Sequence, residues 1–465
     1  MPIIEFGNWA PDQPRIGNSC ITARNVYPVA GGYAPFLSAS ALSEALGSEP
    51  KGAISFRRTS GEREVFAGTE TELYRINGLG WDDVTPAGGL SASEFWRFAV
   101  YGDRLIATNG VDNPQAFDLN SDTEFADLPN APIHRFPIVV RDTLVALDVQ
   151  DGSGFDVKWS AVNDSEDWTV ASGGGSQNFP DGGPVVGGTG GETGIVIQEQ
   201  GLTRMAFVGG DLRFTFDQLE GSVGCIARNS IVRYKGITFY LSEEGFQAFD
   251  GAQSKNISDG VVTKTFFSEL ARADDLITDT LELITTSTGE TITVGTLTQI
   301  EGVLDLLNSC VIWKYPSDSG GVKLLIYNYV LNRWSDSDQQ IDTVFSYTTA
   351  SGPALAGFDS DFKIATFDGA QRDAILSTGE MQLFRGQSGF VRSVRGLVDS
   401  AHDVTVGKKT SMADTEVTVS GSSNSNGKVS LRSHGRYHRF QLEPTADFTE
   451  IVGVEVEAMS AGSKV

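Results

Sequence analysis

The chain has 465 residues, 40% of them hydrophobic, and its 60 acidic and 35 basic residues give a formal net charge of −25. This length and hydrophobic content predict a large core, with several domains or one long repeat array, and argue against a mostly disordered chain. No apolar stretch has the ~18 residues of a membrane helix, and the opening Met-Pro-Ile-Ile-Glu-Phe-Gly lacks signal-peptide features, so we expect a soluble protein made in the cytoplasm.

Residues 1–50 are rich in Pro and Gly and show little periodicity apart from Cys20 to Tyr27. We interpret them as an irregular N-terminal arm that packs on the C-terminal region. The pattern becomes regular from Gly52, where short runs of alternating apolar residues are separated by turn residues. Regular units of this kind continue to about residue 380.

Several short peptides recur along this regular region. Gln-Ala-Phe-Asp and Phe-Asp-Gly-Ala-Gln each occur twice, and two looser copies accompany them: Gln115–Asp118, Gln247–Asp250, Phe249–Gln253, Phe367–Gln371, Leu73–Gly78 and Leu325–Asn328. Each copy lies where an alternating strand meets a tight turn, and Asn-Gly or Asp-Gly tolerates the positive φ angles of such turns. The copies are separated by near multiples of about forty residues, the length of one four-stranded propeller blade.

The units predict an all-β fold with a propeller of about seven blades over residues 51–380, which solves the sheet-edge problem by radial closure. The clearest unit runs from Cys225 to Ile257, and two more units cover Ser309–Asp342 and Thr343–Leu376. The repeat is interrupted after the first of these units, over roughly residues 259–307. This insertion consists of a helix predicted at Asp259–Leu270 and a Thr-rich segment that continues to about Leu307.

Longer alternating strands from about Phe384 onward predict a separate C-terminal domain, residues 384–465, resembling a small β-sandwich. One of these strands is predicted across Ser430–Leu442. This domain has 10 basic and 9 acidic residues, whereas Met1–Leu383 has 25 basic and 51 acidic residues. The acidic part is not expected to grip duplex DNA, because such affinity comes from Lys and Arg. Acidic residues facing a channel would let DNA slide past, and the alternative is a solvated surface that keeps the protein soluble.

The sequence offers no convincing metal site. Cys20, Cys225 and Cys310 are widely separated, contain no Cys-x-x-Cys pair, and are interpreted as reduced core residues. His434 and His438 form a His-x-x-x-His pattern, which chelates zinc on a helix, but residues four apart on a strand lie roughly 13 Å from each other. The other two histidines, His134 and His402, belong to no motif. We therefore expect no metal and no cofactor.

Three further patterns have ordinary structural interpretations. Asp118-x-Asn120-x-Asp122 imitates the start of a calcium loop but lacks the turn glycine and the final glutamate, which favours a polar turn. The Gly-rich stretch Gly187–Gly194 has no following Lys and predicts a loop rather than a phosphate cradle. Large aromatics that each follow a turn are interpreted as core packing: Trp81, Trp168 and Trp334.

Enzyme signatures are equally weak. No Gly-x-Ser-x-Gly elbow occurs. Some propellers are glycosidases that use a carboxylate pair, yet Ser242-Glu243-Glu244-Gly245-Phe246 only poorly matches the turn motif of sialidase-like enzymes. We therefore expect that the protein is not an enzyme, and we assign no catalytic residues.

Four groups of segments together resemble the tail nozzle proteins of short-tailed bacteriophages, also called packaged-DNA stabilisation or tail hub proteins. In chain order the groups are Ala23–Pro28 with Gly31–Pro35; Lys158–Asp164 with Asp167–Thr169; Ile312–Pro316 with Leu324–Tyr329 and Asn332–Ser335; and Gly435–Phe440 with Gly453–Val456. They span nearly the whole chain, and the insertion at about Leu281–Leu307 has no counterpart in the family.

The resemblance implies a structural virion protein of the phage tail. Such a protein forms a homo-oligomeric ring, probably a hexamer, that extends the portal–adaptor channel, retains packaged DNA and conducts it during ejection. Its implied partners are other copies of the chain, the tail adaptor below the portal, and tail spikes, fibres or a needle, with double-stranded DNA passing transiently. A closed ring of heterologous contacts also agrees with cyclic symmetry, and the nearly neutral C-terminal domain is the better candidate for the interface.

Two other functions remain open. The first is a glycan-binding or glycan-hydrolysing propeller at the phage tail tip, which requires an exposed pocket of aromatics and carboxylates near a blade centre. The second is a cellular scaffold propeller that binds protein partners.

Overall fold

The computed structural model of the chain describes residues 2–154, 156–210, 212–271, 297–350 and 352–460. Strands account for almost all of their regular structure, with one α-helix, α1 (Thr263–Glu269), and two short 3₁₀ turns at Val170–Ser172 and Arg228–Ser230. None of the described helices is long and apolar enough to span a membrane. The predicted all-β class is therefore confirmed.

The opening segment is not irregular. It contains five strands, β1 (Ile3–Glu5), β2 (Cys20–Arg24), β3 (Val26–Val29), β4 (Gly32–Pro35) and β5 (Ser40–Ala45). Its lack of periodicity has a physical cause in β5, where five of six residues are partly or fully exposed and only Ser43 is buried. A strand that is solvated on both faces has no apolar alternation to reveal it.

The propeller has seven four-stranded antiparallel blades, and in six of them the strands run outward from the axis in chain order. The first four consist of β6 (Gly52–Arg57), β7 (Arg63–Gly68), β8 (Leu73–Asn77) and β9 (Gly80–Asp83); β10 (Arg97–Tyr101), β11 (Arg104–Thr108), β12 (Gln115–Asp118) and β13 (Ala126–Asp127); β14 (His134–Val140), β15 (Thr143–Val149), β16 (Val157–Trp159) and β17 (Gly175–Gln177); and β18 (Val185–Thr189), β19 (Thr193–Gln198), β20 (Leu202–Phe207) and β21 (Phe214–Glu220).

The next two blades consist of β22 (Val232–Tyr234), β23 (Ile237–Ser242), β24 (Gly245–Phe249) and β25 (Ser254–Asn256), and of β26 (Glu301–Asp305), β27 (Cys310–Pro316), β28 (Val322–Asn328) and β29 (Arg333–Ser337). Blade seven has β30 (Thr343–Thr349), β31 (Gly352–Phe358) and β32 (Lys363–Thr366), and β5 from the N-terminal arm is its fourth strand. The ring is thus closed by pairing the two ends of the propeller, with Ser40 opposite Thr366 and Ala45 opposite Lys363.

The repeated peptides occupy one structural position. Gln115–Asp118 is β12, Gln247–Phe249 lies in β24, and the two looser copies lie in β8 and β28, all of them third strands of their blades. The echoed aspartate closes the next turn: Asp250 Oδ1 accepts from the amides of Ala252 and Gln253 at 2.9 and 3.0 Å. Their interpretation as copies of one unit is confirmed.

How deeply a strand is buried depends on its position in the blade. The second strand is covered on both faces by its neighbours, as in β23, where five of six residues are buried. Neighbouring blades also approach closely: a Cβ on Gly68 would lie 2.3 Å from the indole of Trp96, so only glycine fits where blades one and two meet. Each blade therefore depends on its neighbours for its core.

The C-terminal region is a sandwich of two sheets, but it is not the separate domain of residues 384–465 that the sequence predicts, because β1–β4 and a strand before residue 384 complete its sheets and one sheet is shared with blade six. It adds β33 (Ile375–Thr378), β34 (Gly389–Val398), β35 (His402–Lys409), β36 (Val417–Ser422), β37 (Lys428–Gly435), β38 (Tyr437–Pro444) and β39 (Ile451–Ser460). One sheet has the order β3-β4-β39-β34-β37, with β1 also pairing with β39. The second has the order β2-β33-β38-β35-β36 and continues directly from blade six, because β2 pairs in parallel with β29.

Several predicted boundaries are wrong. The predicted boundary between the N-terminal arm and the propeller, at residues 50 and 51, separates β5 from the blade that it completes. Residues Glu301–Asp305 are predicted to belong to the insertion but form the inner strand of blade six. The single strand expected over Ser430–Leu442 is two strands, β37 and β38, which belong to opposite sheets. The chain crosses between the sheets at Arg436, where the buried positions shift from odd-numbered residues in β37 to even-numbered residues in β38. Most of the Thr-rich insertion, residues 272–296, lies outside the described residues.

Candidate functional site

A cavity lies at one end of the propeller axis. The inner strands β6, β10, β14, β18, β22, β26 and β30 surround the axis, and the cavity lies where most of them begin. In each blade the inner strand runs away from the cavity face and the second strand runs back toward it. The loop between the second and third strands therefore lies on the cavity face. The volume is about 820 Å³, within the range of pockets that hold small ligands.

Charged side chains of both signs line this axial cavity. The basic ones are Lys51, Arg135, Arg228 and Lys314, and the acidic ones are Glu49, Glu94, Glu301 and Asp342. Three of the acids, Glu49, Glu94 and Asp342, are solvent-exposed and form an acidic mouth. The other charged side chains of the lining form ion pairs.

One side of the cavity is internally neutralised. Lys314, whose side chain is only 7% exposed, lies 3.0 Å from Glu301 Oε1 and also donates to the carbonyl of Asp342. The other oxygen of Glu301 accepts from the backbone amide of Val344 at 2.9 Å. These bonds hold blades six and seven together and leave no charge free for a ligand.

On the opposite side, two arginines share one carboxylate. Arg135 and Arg228 approach the same oxygen of Asp148, with N–O distances of 3.0 and 3.7 Å. Burial lowers the pKa of Arg228, Asp148 raises it, and the nearby charge of Arg135 lowers it again. One carboxylate is thus shared by two guanidinium groups.

Arg97 lies beside this pair. Its Nη2 donates to Asn229 Oδ1 at 2.7 Å, and its guanidinium lies 4.1 Å from the ring centroid of Phe95 and 5.8 Å from that of Phe136. Its Nε is buried and has no hydrogen-bond partner, and no carboxylate within the described ranges forms an ion pair with it. Burial lowers the pKa of Arg97 to about 10, with the nearby carboxylate of Glu301 opposing this shift and the charge of Arg228 adding to it.

None of these arginines was singled out from the sequence. They are isolated along the chain, but each lies near the start of a unit: Arg97 begins β10, Arg135 is the second residue of β14, and Arg228 precedes β22. A comparison of unit starts, rather than of motifs, is the signal that finds them. They meet only because the propeller closes.

A second depression, of about 760 Å³, lies beside blades two and three and includes Trp168. Trp168 is half-buried and donates from Nε1 to the carbonyl of Ser165 at 2.9 Å. The other two predicted core tryptophans lie in outermost strands, with Trp334 buried and Trp81 half-buried. Packing on the core is confirmed for Trp334, which donates to the carbonyl of Ile257 at 3.2 Å.

The four histidines are not brought together as a group. His434 is exposed on β37, whereas His438 is buried on β38 in the other sheet, and burial lowers the pKa of His438 to about 4. His402 accepts from the amide of Gly396 at 3.0 Å and bonds through Nδ1 to Ser400, while burial lowers the pKa of His134 to about 4. Within the described ranges no three potential ligand side chains are clustered around a common point.

The remaining patterns form turns and core. Asp118 accepts from the amide of Asn120 at 2.9 Å, and Asp122 from that of Asp118 at 2.7 Å, so the calcium-like peptide is a self-closed polar turn. The Gly-rich stretch is the β18–β19 hairpin, whose Gly191 exchanges backbone hydrogen bonds with blade three. The three cysteines are buried free thiols.

Segments that carry the family resemblance converge on a second region, the junction between blade six and the sandwich. Three of the four groups lie there: the first in β2, β3 and β4, the third in β27, β28 and β29, and the fourth in β37, β38 and β39. The second group lies in and after β16 of blade three.

Aromatic packing and one arginine build this junction. Trp313 and Trp334 stack with centroids 6.0 Å apart, and Tyr327 lies 4.5 Å from Trp334. Arg333 at the start of β29 donates to four carbonyls of the N-terminal arm, at 2.8 and 3.2 Å from Nη1 and at 3.3 and 3.4 Å from Nη2. Its guanidinium also lies 4.6 Å from the ring centroid of Tyr33. A single apolar core is continuous from blade five through blade six to the sandwich.

No protein-family model matches the chain, and no curated protein sequence matches it. Among solved structures, a crystal structure of BBS1N in complex with ARL6DN is 11% identical, covering 72% of this chain and 97% of that chain, with a TM-score of 0.38. A puromycin hydrolase S511A mutant complexed with PGG is 11% identical, covering 77% of this chain and 58% of that chain, with a TM-score of 0.39.

Proposed function

We propose that the chain is a structural protein of a short-tailed phage virion, which forms the tail nozzle ring below the portal and adaptor. In this role it retains packaged DNA and conducts it during ejection, and it has no catalytic residues. The observation that carries the proposal is the convergence of three of the four resembling groups on the junction between blade six and the sandwich. Segments far apart in sequence thus belong to one architectural element.

The junction supports a mechanical role. A nine-stranded sheet runs without interruption from the axis of the propeller to the far edge of the sandwich, and the shared core lies beneath it. Continuous sheets and shared cores resist the bending expected of two domains joined by a linker. A ring protomer that carries load along a DNA channel needs such a joint.

The sandwich also has an edge suited to contact between protomers. Strand β36 is the last strand of the nine-stranded sheet, pairs with β35 in unbroken register, and contains no charged residue or proline from Val417 to Ser422. Natural sheets usually protect such edges with charges, prolines or bulges. We propose that β36 adds to the sandwich of the next protomer, which gives the heterologous contact that closes a cyclic, hexameric ring.

The charge distribution fits the same arrangement. The nearly neutral sandwich would form the inner ring, and the acidic propeller would lie outside it, where repulsion between propellers opposes contacts other than those at the sandwich. DNA would pass through the centre without a basic surface to hold it.

An assembly experiment with matched variants tests the proposal. Val417 at the start of β36 is 55% exposed and Val170 on blade three is 82% exposed, so aspartate at either position leaves the core of the monomer intact. The purified proteins are mixed with a portal–adaptor complex encoded in the same genome and weighed by mass photometry. Wild type and Val170→Asp should dock as a closed ring, and Val417→Asp should remain monomeric.

Two results count against the proposal. A wild-type chain that stays monomeric beside the portal–adaptor complex removes the nozzle role, and a ring formed equally by Val417→Asp removes the β36 interface. The axial cavity favours one second candidate, a glycan-binding or glycan-hydrolysing propeller at the tail tip. Binding on a glycan array, or release of reducing sugar, would support that candidate.

A further inference from the structure

The free edge of the sandwich carries exposed apolar side chains. Met412, in the loop between β35 and β36, is 47% exposed, and Val417 at the start of β36 is 55% exposed. A heterologous contact joins two different surfaces, so a neighbouring protomer needs an apolar counterpart for these side chains. Because each copy has a net charge of −25, that counterpart must also be free of acidic residues.

Three turns on the propeller face opposite the axial cavity form such a surface. They connect β22 to β23, β26 to β27 and β28 to β29, and we call them the apolar patch: residues 234–237, 306–309 and 329–332. Their most exposed apolar side chains are Val330, Leu307 and Ile237, at 69, 56 and 38%. The three stretches contain one lysine and no acidic residue.

Contacts between the turns make the apolar patch continuous across blades five and six. The rings of Tyr234 and Tyr329 lie 5.0 Å apart, which joins the β22–β23 turn to the β28–β29 turn. The amide of Tyr329 donates to the carbonyl of Ser309 at 3.1 Å, which joins the β28–β29 turn to the one that contains Leu307. Single exposed apolar side chains are ordinary, whereas a contiguous group of them is typical of an interaction surface.

The apolar patch adjoins the sandwich of its own protomer. Asn328 and Arg333, on either side of the β28–β29 turn, both donate to carbonyls of β3, which belongs to a sandwich sheet. A β36 strand from another copy that pairs with this sandwich can therefore place the loop before it on the patch.

We propose that the apolar patch is the acceptor surface of the ring, and that it binds Met412 and Val417 of a second copy of this chain. The proposal rests on the nozzle ring proposed above. Val330 and Val417 are both exposed, so the two surfaces do not cover each other within one protomer. Their contact between protomers removes apolar area from water on both sides. Because the two surfaces differ, the contact repeats head to tail and closes a ring.

Charge variants of the full chain test the acceptor surface. Val330→Asp places a charge in the apolar patch, and Leu79→Asp is the matched control, since Leu79 is 63% exposed in the β8–β9 turn on the same propeller face. Both positions are exposed, so neither change disturbs the core. In mass photometry with the portal–adaptor complex, Val330→Asp should need at least about tenfold more protein for half-maximal ring formation, the equivalent of one buried valine per contact. Leu79→Asp should assemble like the wild type.

Cross-linking identifies the two surfaces that meet. Val330→Cys and Met412→Cys each add one exposed thiol, while Cys20, Cys225 and Cys310 are buried. With a flexible cross-linker that reacts with two thiols, a mixture of the two variants should give cross-linked dimers, and neither variant alone should give them.

The outcomes separate this proposal from the nozzle role. A ring formed equally well by Val330→Asp and Leu79→Asp overturns the acceptor surface and leaves the ring standing. Cross-linked dimers of Val330→Cys alone show contact between identical patches and overturn the head-to-tail arrangement. A wild-type chain that stays monomeric removes the ring, and this proposal with it.

Discussion

Replacing Arg333 by methionine should detach the N-terminal arm from blade six. The guanidinium donates to the carbonyls of Val29, Gly32, Phe6 and Gly7, so the variant leaves four acceptors of the arm without this donor. Methionine keeps much of the apolar contact with neighbouring side chains and removes only the polar head. The effect should therefore report the hydrogen bonds rather than a cavity.

The magnitude follows from the geometry. A hydrogen bond to a charged group contributes about 1.5–3 kcal/mol, and two of the four bonds, at 2.8 and 3.2 Å, fall within the normal range of length. The other two, at 3.3 and 3.4 Å, are long and contribute little. We expect Arg333→Met to lower the free energy of local opening of the arm by about 3–6 kcal/mol, the sum of the two bonds of normal length.

Native-state hydrogen exchange measures this quantity directly. The amides of β3 and β4 should exchange faster in Arg333→Met by about two orders of magnitude or more, while those of the distant blade two remain unchanged. Arg392→Met is the control, because Arg392 is exposed on β34 and its loss removes the same charge. Equal protection of β3 and β4 in the two variants would refute the role assigned to Arg333.

Three further predictions concern closure, pH and thiol chemistry. Ser43→Ala removes the hydroxyl that accepts from the buried amide of Ile364 at 2.9 Å, and should lower the stability of blade seven by about 1–3 kcal/mol, seen as faster amide exchange in β32. Burial lowers the pKa of His134 from 6.5 to about 4, so as pH falls the unfolded chain takes up a proton first. As pH falls from 6.5 to 4, protonation of this group in the unfolded chain should lower the free energy of unfolding by about 1.4 kcal/mol per pH unit. In urea titrations, the free energy of unfolding of His134→Asn should depend less on pH than that of the wild type. Burial raises the pKa of Cys225 to about 11 and that of Cys20 to about 12, so folded protein at pH 8 should react with a thiol reagent far more slowly than protein in denaturant; rapid labelling would contradict this burial.

Local patterns predicted the parts of the propeller that are locally determined. The peptides around Gln115 and Gln247 contain both a strand and the turn after it, and the aspartate that closes that turn lies within the same few residues. Such features do not depend on the rest of the chain. They therefore gave the correct repeat length and the all-β class.

Strand pairing between residues far apart in the chain could not be predicted from the sequence. Strand β5 pairs with β32 across more than 300 residues, and its exposed outer position leaves no apolar pattern. The parallel pairing of Arg24 with Asp336, which joins the sandwich to blade six, is equally distant. The arginines of the axial cavity have the same origin, since Arg97 and Arg228 lie 131 residues apart and become neighbours only in the closed ring.

Assembly into the nozzle ring of a phage tail can be tested by cryo-electron microscopy of the wild-type chain bound to its portal–adaptor complex. We predict a closed ring of six copies, with the sandwiches around the axis, β36 at each contact between protomers, and the acidic propellers on the outside. A map with propellers lining the channel would contradict this arrangement, and a chain that remains monomeric and unbound would contradict the function itself.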